Sequence, residues 1–312
     1  MRWRVILKVL FVGMGSIGKR HIRNLIRFCD TQLKIDLLRH GNGELSKDIT
    51  DSISNTYYDS RDLPDDYNVV FVTNPTSSHY ETIKALCGKT DHMFIEKPVF
   101  QKTINHLNDI PLKSESIYYV AAPLRYCPVI MNLKKYVNLN EVYSARAITS
   151  SYLPDWRKNC DYRNVYSAHK EMGGGVSLDL IHEIDYLTFL FGMPNEVLNM
   201  NGKFSHLEID SDDLSVYLLK YSDKLVEIHL DYFGRDTSRI LELYCKEYTA
   251  YCDLINNSIR IVYPEKEILY RLGEDLEYEE EMKNFLRMIN HEVENKNDII
   301  HANEILRLAI GE

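Results

Sequence analysis

The stretch that most limits what this chain can become lies at its start. An apolar run from Val5 to Val12 ends on Gly13-Met14-Gly15-Ser16-Ile17-Gly18, and a segment with apolar residues at Ile17, Ile22, Leu25 and Ile26 follows. Strand, tight turn and helix in that order predict the opening of a parallel βαβ unit. The glycines let the backbone turn sharply and approach a pyrophosphate, whose charge is favoured by the helix N-terminus. Gly13, Gly15, Ser16, Ile17 and Gly18 are therefore the expected dinucleotide cradle.

A second strand is predicted over 33–40, ending where an adenosine ribose would sit. NAD-specific sites carry an acid there. Here Arg39 and His40 occupy the end and Asp36 lies inside the strand. A cation suits a 2′-phosphate, so NADP(H) is favoured; Arg39 stacking on adenine would leave NAD(H) open. A third strand, Val69–Val72, leads into the turn Thr73-Asn74-Pro75-Thr76-Ser77-Ser78-His79, with Ser77 or Ser78 expected to cap the next helix. Met93-Phe94-Ile95 then delivers Glu96-Lys97-Pro98 to a strand end. Ligands of doubly wound sheets bind outside the carboxyl ends of strands, which points Lys97 toward the nicotinamide end. Thr73, Asn74, Pro75, His79, Glu96 and Lys97 join the expected cofactor site.

Further on, Gly173-Gly174-Gly175 runs into a predicted helix carrying Asp179, His182 and Asp185. Spaced by three, these lie near one face, while Leu180, Ile184, Leu187, Leu190 and Phe191 supply the buried side. A rigid helix presenting an imidazole and carboxylates suits proton transfer. A polar outer face on a capped amphipathic helix is the plainer reading of the same residues.

These pieces together resemble the glucose–fructose oxidoreductase / inositol dehydrogenase (Gfo/Idh/MocA) family. The likeness rests on GxGxxG with His21 and Asn24-Leu25, the Thr-Asn-Pro turn with His79, Glu96-Lys97-Pro98, and the Gly-Gly-Gly…Asp…His…Asp helix, in that order. The stretch from Tyr152 through Trp156-Arg157 and Asp161-Tyr162-Arg163 to Tyr166…Lys170 is similar to a branch linked to bacterial surface-polysaccharide sugar metabolism. The resemblance implies an α/β fold: an N-terminal Rossmann doubly wound parallel sheet plus a C-terminal α+β domain with an open, mostly antiparallel sheet. It also implies hydride transfer at a sugar-type carbinol, with Lys97, Asp179 and His182 serving the proton. One departure stands out. The family spaces Asp-x-x-x-His, whereas Asp179 and His182 are three apart, so both i+3 and i+4 geometries stay open.

At 312 residues the chain is long for one core. Two domains are expected, 1–122 and 123–312, the second opening at Pro123. Arg125 and Tyr126 at that crossing are candidate substrate contacts. Alternation over 141–151 predicts the first strand of the new sheet, and runs at 216–219, 225–230, 240–244 and 259–262 predict a meander. The long loop 152–172 is expected to be functional. Trp156 and Tyr162 suit the apolar face of a sugar, Arg157, Arg163 and Lys170 an anionic group, and Asp185 a substrate contact. The tail 282–310 reads as helical.

A net charge of −9 without a basic stripe argues against nucleic acid. The six cysteines show no metal-ligand spacing, so no metal is expected and reduced thiols fit a cytoplasmic protein. No run reaches the roughly 18 apolar residues of a membrane span. The expected activity is NAD(P)-dependent oxidation or reduction of a sugar or sugar derivative, with phosphorylated, acidic and nucleotide-activated forms open. The alternatives are a silent dinucleotide sensor and a sugar enzyme that recycles its nicotinamide without net redox. A homodimer or homotetramer through the second sheet is the expected assembly.

Overall fold

The computed structural model describes residues 6–41 and 43–312. Val5, read above as part of the opening strand, lies outside them. In chain order the first elements are β1 (Ile6–Val12), α1 (Ser16–Phe28), β2 (Gln32–Leu38), α2 (Lys47–Thr50), β3 (Ile53–Tyr57), β4 (Tyr67–Val72), α3 (His79–Leu86), β5 (Thr90–Ile95) and β6 (Tyr118–Val120). Then come α4 (Pro128–Tyr136), β7 (Val142–Tyr152), α5 (Val176–Asp179), α6 (His182–Phe191), β8 (Glu196–Gly202), β9 (Leu214–Lys220), β10 (Leu225–Asp231), β11 (Phe233–Cys245), β12 (Thr249–Asp253), β13 (Ser258–Val262), β14 (Glu267–Arg271), α7 (Glu277–Ile289) and α8 (Ile299–Ala309).

The chain divides into two compact units, Met1–Ala121 with Tyr278–Glu304 and Ala122–Glu277 with Ile305–Glu312. In the first, the described strands pair in parallel in the order β3-β2-β1-β4-β5-β6, the doubly wound arrangement. Near-continuous apolar runs form the central strands because both faces are covered. Phe11 stacks on Phe71 at 4.5 Å and Phe71 on Phe94 at 5.1 Å.

The tail differs from the sequence reading in two ways. Residues 278–304 cluster with the first unit, where the sequence carried the second domain unbroken to 312. Phe285 of α7 meets Phe94 edge-on at 5.1 Å, and Asn297 exchanges backbone and side-chain bonds with Val120. The segment between α7 and α8 interrupts the expected helical run, with His291 at φ 58°.

The second unit holds an eight-stranded sheet, order β14-β13-β12-β11-β7-β10-β9-β8. It is antiparallel except that β7 lies parallel to β10, so it is no simple meander. Strands β8, β12 and β14 were not foreseen. Registers place Leu198, Leu218, Glu227, Arg146, Glu242, Tyr251, Arg260 and Leu269 in one row across a single face. Ala145, Ala147 and Thr149 of β7 point to the other, buried face, where the Thr149 hydroxyl donates to Glu183 of α6 at 2.7 Å.

Candidate active site

In the first unit, Gly13 turns the chain out of β1 with φ +83°, and a Cβ there would sit 2.8 Å from the Asn74 backbone. Only glycine fits that turn. The Thr73 hydroxyl closes it by donating to the carbonyls of Val12 and Gly13 at 3.1 and 2.9 Å. α1 then begins with Gly15 and Ser16 exposed, no side-chain cap and no acid in its first turn. Its first N–H groups thus point outward, and nothing lies within 4 Å of where a Gly15 side chain would be. This cradle fits a dinucleotide pyrophosphate.

Beyond β2, the Arg39 guanidinium donates to the carbonyls of Gly41 and Gly43, and His40 is exposed. Asp36 is wholly buried, accepting from Asn55 at 2.8 Å and from the Tyr67 hydroxyl at 2.9 Å. Its carboxylate belongs to the strand interior.

After β4, Pro75 is exposed, whereas the Asn74 amide donates to Thr82 at 2.8 Å. Neither Ser77 nor Ser78 caps α3 through its side chain. His79 differs from its expected cofactor role. It is 1% exposed, with Nδ1 3.1 and 3.2 Å from the carbonyls of Pro98 and Val99 and Nε2 3.0 Å from that of Asn74. Both nitrogens are spent on the backbone, so His79 ties the Thr-Asn-Pro turn to the Lys97-Pro98 segment. Burial pushes its pKa down, against those carbonyls.

Glu96 likewise acts from beneath. One oxygen lies 2.5 Å from His21 Nε2, and the other accepts the Lys97 backbone N–H at 3.2 Å. Burial raises its pKa, but the His21 hydrogen bond and charge, then Lys97, hold it below the usual carboxylate value. Lys97 follows β5, half-buried, with a cis bond to Pro98.

In the second unit the expected single helix is two. α5 ends at Asp179, Leu180 leaves helical geometry at ψ 30°, and α6 starts with half-buried His182. Gly175, at φ +128°, opens α5, and a Cβ on it would strike Asp212 at 2.0 Å. Asp212 accepts from the Ser177 amide and hydroxyl at 3.0 and 2.7 Å, capping the turn. Asp179 is 6% exposed and accepts from the Tyr232 hydroxyl at 2.6 Å. Tyr166 feels the charge of the same carboxylate. Burial first, and Asp179's charge second, push both phenols up. Tyr166, Tyr232 and Asp212 were missed. Tyr166 lay in the aromatic loop without a motif of its own, and the other two gave no signal.

Several expected substrate contacts serve the protein itself. Arg125 donates to both oxygens of Asp185 at 2.8 and 2.7 Å, a buried bidentate pair, with Tyr126 half-buried beside it. That places Asp185 on Arg125. Arg163 grips Asp161 and Glu208, and the Tyr162 hydroxyl accepts the Glu208 amide at 3.1 Å, so both fasten the loop. The Lys170 amide donates to Asp210 at 2.7 Å. Trp156 meets Tyr232 edge-on at 5.1 Å and donates to Ser151, yet stays 38% exposed. Arg157 lies over the Tyr166 ring at 5.4 Å. Among the described residues no cluster could hold a metal ion, and no helix is long and apolar enough to cross a membrane.

Residues 7–111 match an oxidoreductase family with an NAD-binding Rossmann fold, and residues 131–250 match the GFO/IDH/MocA C-terminal domain. The chain is 25% identical over 226 residues to the uncharacterized oxidoreductase YrbE of Bacillus subtilis strain 168, covering 68% of this chain and 63% of that protein. It is 23% identical over 207 residues to myo-inositol 2-dehydrogenase of Thermotoga maritima, covering 63% and 58%. The matches thus span about three-fifths of those relatives' length. Among solved structures, levoglucosan dehydrogenase in complex with NADH and levoglucosan is similar at TM-score 0.81 and 17% identity, covering 98% of this chain and 95% of that one. UDP-N-acetylglucosamine 3-dehydrogenase of Acidithiobacillus ferrooxidans is similar at 0.78 and 17%, covering 98% and 96%. At such identities the likeness is one of fold.

Proposed function

Because this chain belongs to the Gfo/Idh/MocA oxidoreductase family, we propose that it transfers a hydride between a nicotinamide dinucleotide and a carbinol or ketone of a sugar derivative. The observation that carries the reading is Lys97. It stands at a strand end with its backbone set by half-buried Glu96 and by the His79 tie, a fixed post for polarising an oxygen. A silent sensor has no need of that post. The nicotinamide supplies hydride chemistry when bound; the α1 cradle holds its pyrophosphate. His182 takes or returns the hydroxyl proton and Asp179 receives it, while Asp185 keeps Arg125 in place. NADP(H) is the favoured cofactor. Arg39 leaves positive charge beyond β2, and Asp36, bonded to Tyr67 and Asn55, is not offered to a ribose.

The substrate, whether free, phosphorylated or nucleotide-linked, is a sugar with exposed Trp156 as an apolar contact. A second copy of the chain covers the outer face of the second sheet, in a cytoplasmic protein. The test is to release any bound dinucleotide, identify it by mass, and titrate NADPH against NADH before and after Arg39→Asp. Turnover is then followed at the nicotinamide absorbance with a sugar panel. Loss of turnover in Lys97→Ala and His182→Ala with dinucleotide affinity kept supports the reading. Binding with no absorbance change returns the sensor or the recycling enzyme.

A further inference from the structure

Beyond Lys97 the chain is tied down by His79, whose Nδ1 meets the carbonyls of Pro98 and Val99 at 3.1 and 3.2 Å. Before it the sheet ends at Glu96, whose amide donates to the Val72 carbonyl at 3.0 Å. Between these two anchors the Lys97 amide rests on a side chain, donating to the Glu96 carboxylate at 3.2 Å. Whatever fixes that carboxylate helps to fix the turn that carries Lys97.

His21 fixes it. Its Nε2 lies 2.5 Å from the other Glu96 oxygen, and since a carboxylate only accepts, the imidazole donates. The Glu96 side chain is 12% exposed and that of His21 is wholly buried, so water competes little for this bond. The ring packs 4.6 Å from Phe94 and 6.1 Å from Phe71, and its Nδ1 has no hydrogen-bond partner among the described residues. A site walled by phenylalanines would take another apolar ring at less desolvation cost, and the one hydrogen bond the imidazole ring makes goes to Glu96. Helix α1 brings His21 there, on the buried face it shares with Gly18, Ile22 and Leu25. A Cβ on Gly18 would fall 2.9 Å from the Thr73 hydroxyl, so the helix lies close against the turn after β4. The first turn of that same helix is the dinucleotide cradle.

We propose that His21 is a positioning residue: through Glu96 it locks the Lys97 turn to the helix whose N-terminus seats the dinucleotide. This rests on the functional reading above, in which Lys97 polarises the reacting oxygen. Hydride transfer needs nicotinamide and that oxygen in a fixed relation, and a misplacement of about 1 Å can cost about a hundredfold in rate. The cradle sets the first and Lys97 helps to set the second. The His21–Glu96 bond joins them within the first unit, and His21, wholly buried, acts only through its neighbours.

The test is His21→Phe, which keeps an aromatic ring against Phe94 and removes the donor, beside His21→Gln, whose amide N–H returns a donor near the place of Nε2. Turnover is followed at the nicotinamide absorbance with NAD+ and NADP+ and a panel of free, phosphorylated and nucleotide-linked sugars. Dinucleotide affinity is titrated separately. His21→Phe should lose roughly tenfold or more in kcat with dinucleotide affinity kept, and His21→Gln should recover most of that loss. A merely structural histidine gives another pattern, with affinity and kcat falling together and Gln no better than Phe. That pattern, or wild-type kcat in His21→Phe, overturns the positioning role and leaves the enzyme reading intact. Should His21→Phe fail to fold, Glu96→Gln breaks the same link from its other end; a loss of kcat with affinity kept supports the role, and an unchanged kcat overturns it. A readout without substrate is the NMR signal of Lys97 after isotope-labelled methylation of the lysines, assigned by its absence in Lys97→Arg. It should move in His21→Phe and return in His21→Gln; a signal indifferent to His21 overturns the coupling. Absence of turnover in wild type with every sugar overturns the enzyme reading and, with it, the part assigned to His21.

Discussion

The hydroxyl of Tyr232 donates to Asp179 Oδ2 across 2.6 Å, joining the end of β10 to the last residue of α5 inside the second unit. A buried carboxylate keeps its donors or loses stability, because water cannot replace them. Tyr232→Phe keeps the ring against Trp156 and removes only this donor. Unfolding by denaturant should show a loss of about 1–3 kcal/mol. No change would mean that the bond is not formed in solution.

The pair Arg125–Asp185 is buried on both sides, and its partners are asymmetric under mutation. Arg125→Ala leaves a carboxylate in a dry site and should cost about 3–5 kcal/mol. Replacing both, Arg125→Met with Asp185→Leu, should recover most of that loss, since the desolvation of two charges is relieved together. A double variant as unstable as the single one would show that the pair contributes net attraction.

Acid should loosen the first unit through His79. Burial depresses its pKa below the ordinary 6.5, so the unfolded chain takes up a proton before the folded one does. Stability is therefore full above about pH 6.5 and falls as pH drops below it. Glu96, whose pKa is also lowered, adds a second loss below its ordinary 4.5. His92, lowered by burial as well, contributes to the first window. Thermal midpoints measured between about pH 7 and pH 5 should fall more steeply for wild type than for His79→Gln. Parallel slopes would remove His79 from the titration.

What was legible before the structure follows from where the physics is local. Strand–GxGxxG–helix declared itself because apolar runs and glycines act over a few residues, and Lys97 was placed because it ends such a run. The edge strands β8 and β14 stayed hidden because their side chains alternate weakly and several face outward. Phe285 reads as amphipathic helix from sequence, but its partner Phe94 is far away in the chain. At the site, Asp179 and His182 were named, yet the break at Leu180 was not, since nothing in Asp-Leu-Ile-His marks a turn. His79 and Glu96 were grouped with the cofactor because sequence cannot show that their polar atoms are already taken. Tyr232 meets Asp179 only through β10, a long-range pairing with no motif.

The outer face of the second sheet carries the last prediction. Leu198 and Met200 on edge strand β8 are 68% and 80% exposed. Register carries them onto Leu218 and Val216 of β9, then Glu227 and His229 of β10. Apolar side chains stand at the edge, while Arg146 and Glu242 farther in lie within 3.8 Å of one another. Such a mixed, flat face suits a second copy turned about a two-fold axis, where the same patch meets itself. Light scattering on the purified protein should give the mass of a dimer or a larger even assembly. Leu198→Lys with Met200→Glu should shift it to monomer with the fold, read by circular dichroism, unchanged. A monomeric wild type, or a double variant that stays assembled, would place the interface elsewhere or remove it.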